Sequence, residues 1–393
     1  MQKNTSFDTR IIEKKYQELF SDSPLMVRSP GRINLLGEHT DYNEGFVLPG
    51  AIDRAIYVGV GPRQDEEVRL YSVSFNENFE AELAALAPTQ KGWPNYVLGV
   101  AALLRERGCA LRGFNLVLAG DVPVGAGLSS SAAVECAVGF ALNELFDLGL
   151  SRLELALIAQ QAEHRFAGVR VGLMDMFASL FGKKNRVIRL DCRSLEYEYV
   201  PLELGAYQLV LLNSQVHHSL ASSEYNTRRQ QCERGVELVR AHQPQVHSLR
   251  DVTLEMLERW VAPQDRVVYR RCRYVVEENE RLLAGCADLQ RGALAALGKK
   301  MFQTHEGLSR DYEVSCPELD FLVDAVRNQP GVLGARMMGG GFGGCTLNLV
   351  EEEQVEKLIA QVGEKYKEDM NKELTAYVVR VEDGTSVVSR PAI

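Results

Sequence analysis

No stretch of about 18 uninterrupted apolar residues occurs in this sequence, so a membrane-spanning helix is not expected. Excess positive charge is missing too. The 44 Lys and Arg stand against 53 Asp and Glu, a formal net charge of -9, which argues against a broad surface for nucleic acid or anionic lipid. Cysteine pairs are absent as well. None of the 8 cysteines forms a C-x-x-C, and no Cys/His cluster has zinc-ligand spacing. Scattered single thiols point to a reducing compartment and to mostly buried, inert cysteines. The N-terminal stretch MQKNTSFDTRIIEKKYQELF lacks the apolar core of a secretory signal, so a cytoplasmic location is expected. Repeats, low-complexity tracts and Pro/Gly/Ser-rich linkers are also lacking.

What is present suits a folded enzyme-sized chain. At roughly 100–200 residues per domain, 393 residues suggest two domains. A hydrophobic content of 46% is enough for an ordinary core. Strand-like runs fall at 25–29, 55–60, 68–74, 114–120, 186–192, 207–214, 345–350 and 376–382. Helical periodicity falls at 10–20, 94–106, 132–147, 151–167, 222–242, 267–284, 316–328 and 352–367. The two types mix without strict alternation, which predicts an α+β fold with mixed or antiparallel sheets. We place the domain boundary near residue 205, giving domains 1–205 and 206–393. In SRLELALIAQQAEHRFAG, Ser151 and Glu154 form a capping box and Gly168 is a C-terminal stop. Glu163 then shares a face with Ala156, Ala159, Phe166 and Ala167. A carboxylate there needs a cation or a metal, or else half-exposure in a salt bridge.

Four clusters are candidates for chemistry. PVGAGLSSSAA (123–133) joins a strand to a helix but lacks the lysine of G-x-x-x-x-G-K-[ST]. Glycine N–H groups and a helix N-terminus can hold an anion without that lysine. Ser129, Ser130 and Ser131 can cap the helix or offer hydroxyls to Mg²⁺, although a plain glycine-rich connection reads the same way. GGGFGG (339–344) matches G-x-G-x-x-G, but the strand-like CTLNLV follows where a dinucleotide fingerprint needs a helix. That leaves a glycine turn at a ligand cleft. RSPGRINLLGEHTDYNEGF (28–46) gathers Arg32, Asn34, Glu38, His39, Asp41 and Tyr42, which suits a ligand rich in hydroxyls or a polar turn. In GLMDMFASLFG (172–182), Asp175 is a lone charge in an apolar run. It wants an arginine or a substrate hydroxyl, and is a candidate base or electrostatic group unless it caps the next helix.

In order and wording, RSPGRINLLGEHTDY, PVGAGLSSSA, GLMD, MGGGFGGC and SSEYNTRRQQC together closely resemble the galactokinase family of the GHMP small-molecule kinases, from about residue 10 to 382. The resemblance implies two α+β domains, the first like the second domain of ribosomal protein S5, with the active site in the cleft between them. It implies ATP and Mg²⁺ as cofactors and galactose as a substrate phosphorylated at C1, with neither nucleic acid nor membrane as partner, and a monomer. Glu38, His39, Thr40, Asp41, Asp175 and Tyr225 would contact the sugar. Gly125, Ala126, Gly127, Leu128, Ser129, Ser130 and Ser131 would wrap the ATP phosphates, with Trp93 and Tyr96 near the adenine. Ser131 and Glu163 would hold Mg²⁺. Asp175 would be the catalytic base, partnered by Arg32. Two departures stand out: Met176 where the family usually has Gln, and Met338 where it usually has Thr, both expected near the cleft. A non-catalytic sugar- and ATP-sensing regulator, or a kinase for N-acetylgalactosamine or arabinose, are the alternatives on the same fold.

Overall fold

Thirteen strands order the described part of the chain: β1 (Leu25–Asn34), β2 (Phe46–Val47), β3 (Pro49–Pro62), β4 (Glu67–Ser72), β5 (Glu77–Glu82), β6 (Phe114–Gly120), β7 (Arg186–Asp191), β8 (Tyr197–Pro201), β9 (Tyr207–Asn213), β10 (Val332–Met337), β11 (Cys345–Glu351), β12 (Thr375–Val379) and β13 (Ser386–Ser389). The structure is a computed structural model that describes residues 7–216 and 221–391, with the side chains of residues 221–223 left aside. The start of the N-terminal stretch and the Ser222 and Ser223 side chains of SSEYNTRRQQC therefore lie outside the described residues.

The largest sheet has the order β13–β1–β3–β6–β4–β5. Its β4–β6 pairing is parallel and its other pairings antiparallel. A second sheet, β10–β11–β9–β12, and a third, β2–β7–β8, are antiparallel. The mixed α+β arrangement expected from the sequence is the one found. Helices α1 (Arg10–Phe20), α2 (Pro94–Glu106), α3 (Ser130–Phe146), α4 (Arg152–Ala162) and α5 (Met174–Phe181) belong to the first half. The second half adds α6 (Ala221–Arg240), α7 (Leu254–Met256), α8 (Arg266–Gln290), α9 (Leu294–Glu306), α10 (Pro317–Val326) and α11 (Val355–Met370). Among the described residues, no helix is long and apolar enough to cross a membrane.

The proposed division near residue 205 falls between β8 and β9, yet the chain does not stay on one side of it. β13 returns to pair with β1. One apolar cluster also runs through both halves, joining Val58, Leu116 and Ala137 to Leu211, Leu347 and Val379. Burial on this scale is the main stabilising force in a chain of this size.

Two local features aim the site. First, the β1–β3 register slips between Pro30 and Arg32. An irregularity of this kind re-aims a side chain, here Arg32. The backbone also closes up: Arg32 N–H donates to the Leu128 carbonyl at 3.1 Å, and a Cβ on Gly31 would stand 2.7 Å from that oxygen. Second, α4 ends in a π-helical turn, Glu163–Ala167, closed by Gly168 at φ +77. The Ser151–Glu154 capping box at its other end is formed as expected. A π turn shifts side chains off the α-helical phase and is frequent at functional sites, and this one presents Glu163.

Candidate active site

The centre of the site is an ion pair. Arg32 donates from Nε to Asp175 Oδ1 at 2.7 Å and from Nη2 to Oδ2 at 3.0 Å. Its third arm, Nη1, donates to the Gly127 carbonyl, and the Ser129 hydroxyl donates to Asp175 Oδ2. The arginine expected beside the lone Asp175 is thus Arg32, in the fork geometry that makes such pairs strong. Asp175 sits in the first turn of α5, but its carboxylate is turned to Arg32 and Ser129 rather than to the helix end. Arg32 is 4% exposed and Asp175 22%, so the carboxylate keeps an open side.

That open side faces a cavity of about 250 Å³, lined by Arg32, Glu38, His39, Asp41, Asp175 and Tyr225, with Val169, Val171 and Met174 on one wall and Gly339–Gly341 on another. Glu38 is held from both oxygens. Asn34 donates to Oε2 at 3.1 Å and the Gly339 N–H to Oε1 at 2.7 Å. Burial pushes its carboxyl up, but the charges of Arg336 and Arg32 outweigh this and leave it below the ordinary value. His39 adopts a left-handed φ of 60. Its Nε2 lies 3.2 Å from the Gly340 carbonyl and its Nδ1 2.8 Å from the Tyr42 hydroxyl. Since a carbonyl only accepts, Nε2 carries the proton and Nδ1 accepts from Tyr42. Burial pulls the imidazole down to about 4, so it is neutral near pH 7. Asp41 is pushed up to about 7, first by burial and then by the charge of Asp175. Its carboxylate rests on Gly172, where an added Cβ would stand 1.9 Å from Oδ2. Thr40 is buried beneath the loop and donates to the Gly37 carbonyl at 2.9 Å. It braces the turn and is not among the residues named on the cavity wall.

On the other side of the Arg32–Asp175 pair lies the glycine loop. Gly125, Gly127 and Ser129 take positive φ (73, 74 and 57), while Ala126 and Leu128 are anchored in the core. The expectation that serines cap α3 is corrected at Ser129. It is the N-cap residue but makes no side-chain cap, because its hydroxyl is drawn to Asp175. The first N–H groups of α3 therefore lack a side-chain cap, which suits an anion. The Ser131 hydroxyl donates to Glu163 Oε1 at 3.0 Å. Glu163 is pushed up to about 7, first by burial and then by the charge of Asp175.

Sequence reasoning missed Glu135. It lies one turn beyond Ser131 on α3, is fully buried, and its carboxyl is pushed well up by burial and by Glu163. Both of its carboxylate oxygens are buried, and the carboxyl stands against that of Glu163, with which it shares a hydrogen bond when one of the two is protonated. The i, i+4 spacing from Ser131 was the available signal. Hydroxyl and carboxylate oxygens are the donors a hard divalent cation prefers. Two buried carboxyls beside Ser131 therefore fit the implied Mg²⁺.

Other expected residues sit differently. The Trp93 indole N–H donates to Glu77 at 2.9 Å, whereas Tyr96 stands near Glu163 and Glu135 and is pushed up to about 12 by burial, then by Glu163. Met176 and Met338 were expected near the cleft. Both adjoin it in the chain, but their side chains are fully buried in apolar clusters, Met176 with Leu173 and Phe177, and Met338 with Leu347 and Leu349. The Met338 backbone meets the glycine loop, where its carbonyl would lie 3.0 Å from a Cβ on Gly127.

Comparison with known proteins agrees with this geometry. The family model for the galactokinase galactose-binding signature matches residues 14–62, and the GHMP kinase N-terminal and C-terminal models match 95–183 and 287–368. The chain is 40% identical over 382 residues to a galactokinase of Roseiflexus sp. strain RS-1, covering 97% of each. It is 42% identical over 364 residues to a galactokinase of Thermotoga petrophila, covering 93% of this chain and 100% of that one. Among solved structures, Lactococcus lactis galactokinase complexed with galactose superposes with a TM-score of 0.93 at 35% identity, covering 96% of this chain and 99% of the other. Nearly full-length matches at this identity mean that this chain belongs to the galactokinase family of the GHMP kinases.

Proposed function

We propose that the protein transfers the γ-phosphoryl group of ATP to the C1 hydroxyl of α-D-galactose. The observation behind this reading is the position of Asp175. Its carboxylate stands between a sugar-sized polar cavity and an uncapped helix N-terminus, fixed by two hydrogen bonds from Arg32. Asp175 accepts the C1 proton as the hydroxyl oxygen attacks the γ-phosphorus and the bond from that phosphorus to the bridging oxygen breaks, releasing ADP, while Arg32 compensates charge at the transferring group. Glu38, neutral His39, Asp41 and Tyr225 orient the ring hydroxyls. The backbone of Gly125–Ser131 cradles the phosphates, and Tyr96 and Trp93 border the nucleotide. Ser131 and Glu163 would hold Mg²⁺, which would neutralise phosphate charge. Phosphoryl transfer needs positioning and charge stabilisation more than covalent chemistry, and these residues supply both. The test is sugar-dependent ADP release over a panel of monosaccharides with Mg-ATP. Turnover with galactose above N-acetylgalactosamine and arabinose is expected. Tight galactose binding without ADP release would contradict the reading.

A further inference from the structure

Arg336 stands among the largest side chains that are completely buried. It lies on β10, two residues before the MGGGFGG turn. Burying an arginine is costly unless its donors and charge are met. Here Nε donates to the Met337 carbonyl at 2.8 Å, and Nη1 donates to the carbonyls of Asn34 and Leu35 at 3.1 and 3.2 Å. Nη2 stands 2.6 Å from Glu38 Oε1, in ion-pair contact but out of line for a hydrogen bond. The same Glu38 oxygen accepts from the Gly339 N–H. One cation thus ties the loop that offers Glu38 to the turn whose glycines form the facing wall of the cavity, 301 positions away in the chain.

A plain packing role does not account for this placement. The neighbours Leu35, Leu36, Met337 and Met338 are buried and apolar, so an apolar residue at 336 would have company. What it could not do is hold the Glu38 carboxylate and both backbones at once. A lysine, a single point charge on a flexible stem, cannot do so either.

We propose that Arg336 is a positioning residue for the sugar, holding Glu38 in its hydroxyl-binding pose and fixing the sugar loop against the Gly339–Gly341 turn. The proposal rests on the galactose reading above. It predicts that Arg336 acts on sugar affinity through Glu38, and not on the nucleotide side.

The experiment is calorimetric titration of the full chain with galactose, and separately with Mg-ATP. The proteins are wild type, Arg336→Lys, Arg336→Met, Glu38→Gln and the double variant Glu38→Gln/Arg336→Met. Arg336→Lys should weaken galactose binding by roughly tenfold or more, as expected when the buried Glu38 carboxylate loses its fixed ion-pair partner, with Mg-ATP affinity nearly unchanged. The double variant should bind galactose no worse than the poorer single variant, because residues acting through one another are non-additive. Removing both charges together avoids leaving either one buried without its counter-charge. Wild-type affinity in Arg336→Lys, or additive losses in the double variant, would overturn the proposal. So would an Arg336→Lys or double variant that loses sugar binding only by unfolding, seen as a collapsed thermal transition. Failure of the wild type itself to bind galactose would instead break the galactose reading.

Discussion

On the sugar side of the cleft, polar groups are already engaged by protein. Glu38 accepts from Asn34 and Gly339 and pairs with Arg336, and both His39 nitrogens are bonded. On the phosphate side fewer are. The first turn of α3 has no side-chain cap, and the Glu135 and Glu163 carboxyls are buried against each other, with Glu163 pushed up to about 7. A neutral sugar brings only hydroxyls, so its site gains from being rigid before binding. A nucleotide with a divalent cation brings charge of both signs, so its site can leave groups open for the ligand to complete. Asp175 belongs to both halves, and its charge contributes to the raised values of Asp41 and Glu163 alike.

The comparison predicts different failures on its two sides. The largest belongs to the shared residue: Asp175→Asn should lower kcat by about 10³-fold, the scale of a lost acid–base group, with galactose affinity changed far less. Steady-state kinetics beside galactose titration separates the two. On the phosphate side, Glu163→Gln should raise the Mg²⁺ requirement at least about tenfold while leaving galactose binding intact. Direct Mn²⁺ binding in the absence of substrates checks this without relying on turnover. An unchanged metal affinity would remove Glu163 from the cation site. On the sugar side, Gly172→Ala would press a methyl group into the Asp41 carboxylate. Overpacking of this kind should weaken galactose roughly tenfold, seen as a higher KM for sugar but not for ATP.

The smallest effect is on stability. Asp41 and Glu163 are raised from 3.8 and 4.5 to about 7. Between those values the folded chain holds protons that the unfolded chain has released. Their stabilising contribution is therefore complete below pH 4 and is lost as pH rises through about 7. The Tm of the ligand-free protein should fall across that window, and less steeply in Asp41→Asn. Parallel melting curves over pH would refute the Asp41 assignment.

Much of this was legible in the sequence because it is local. A capping box, a C-terminal glycine and an apolar run fix an element from neighbouring residues, as at Ser151–Glu154, Gly168 and β9. Elements with weak local signal were not found. β5, ENFEAE, is largely exposed and charged, β13 has four residues, and α9 opens without a side-chain cap. Asp175 announced its need for a partner because it is a lone charge in an apolar run. Arg336 and Glu135 did not, since each sits in a stretch whose pattern reads as ordinary strand or helix, and their partners lie far away in the chain. The orientation of the two methionines beside the site was not legible for the same reason. Proximity to a motif in sequence says nothing about which way a side chain turns, and both turn into the core.

The central claim is that one carboxylate, Asp175, serves a galactose bound on one side and a phosphoryl donor bound on the other. The most direct measurement is NMR of the product formed from galactose and Mg-ATP by the wild type and by Asp175→Asn, with galactose binding measured on both. The account predicts α-galactose 1-phosphate from the wild type, and almost none from a variant that still binds the sugar. Phosphate on another hydroxyl, or comparable product from Asp175→Asn, would contradict it.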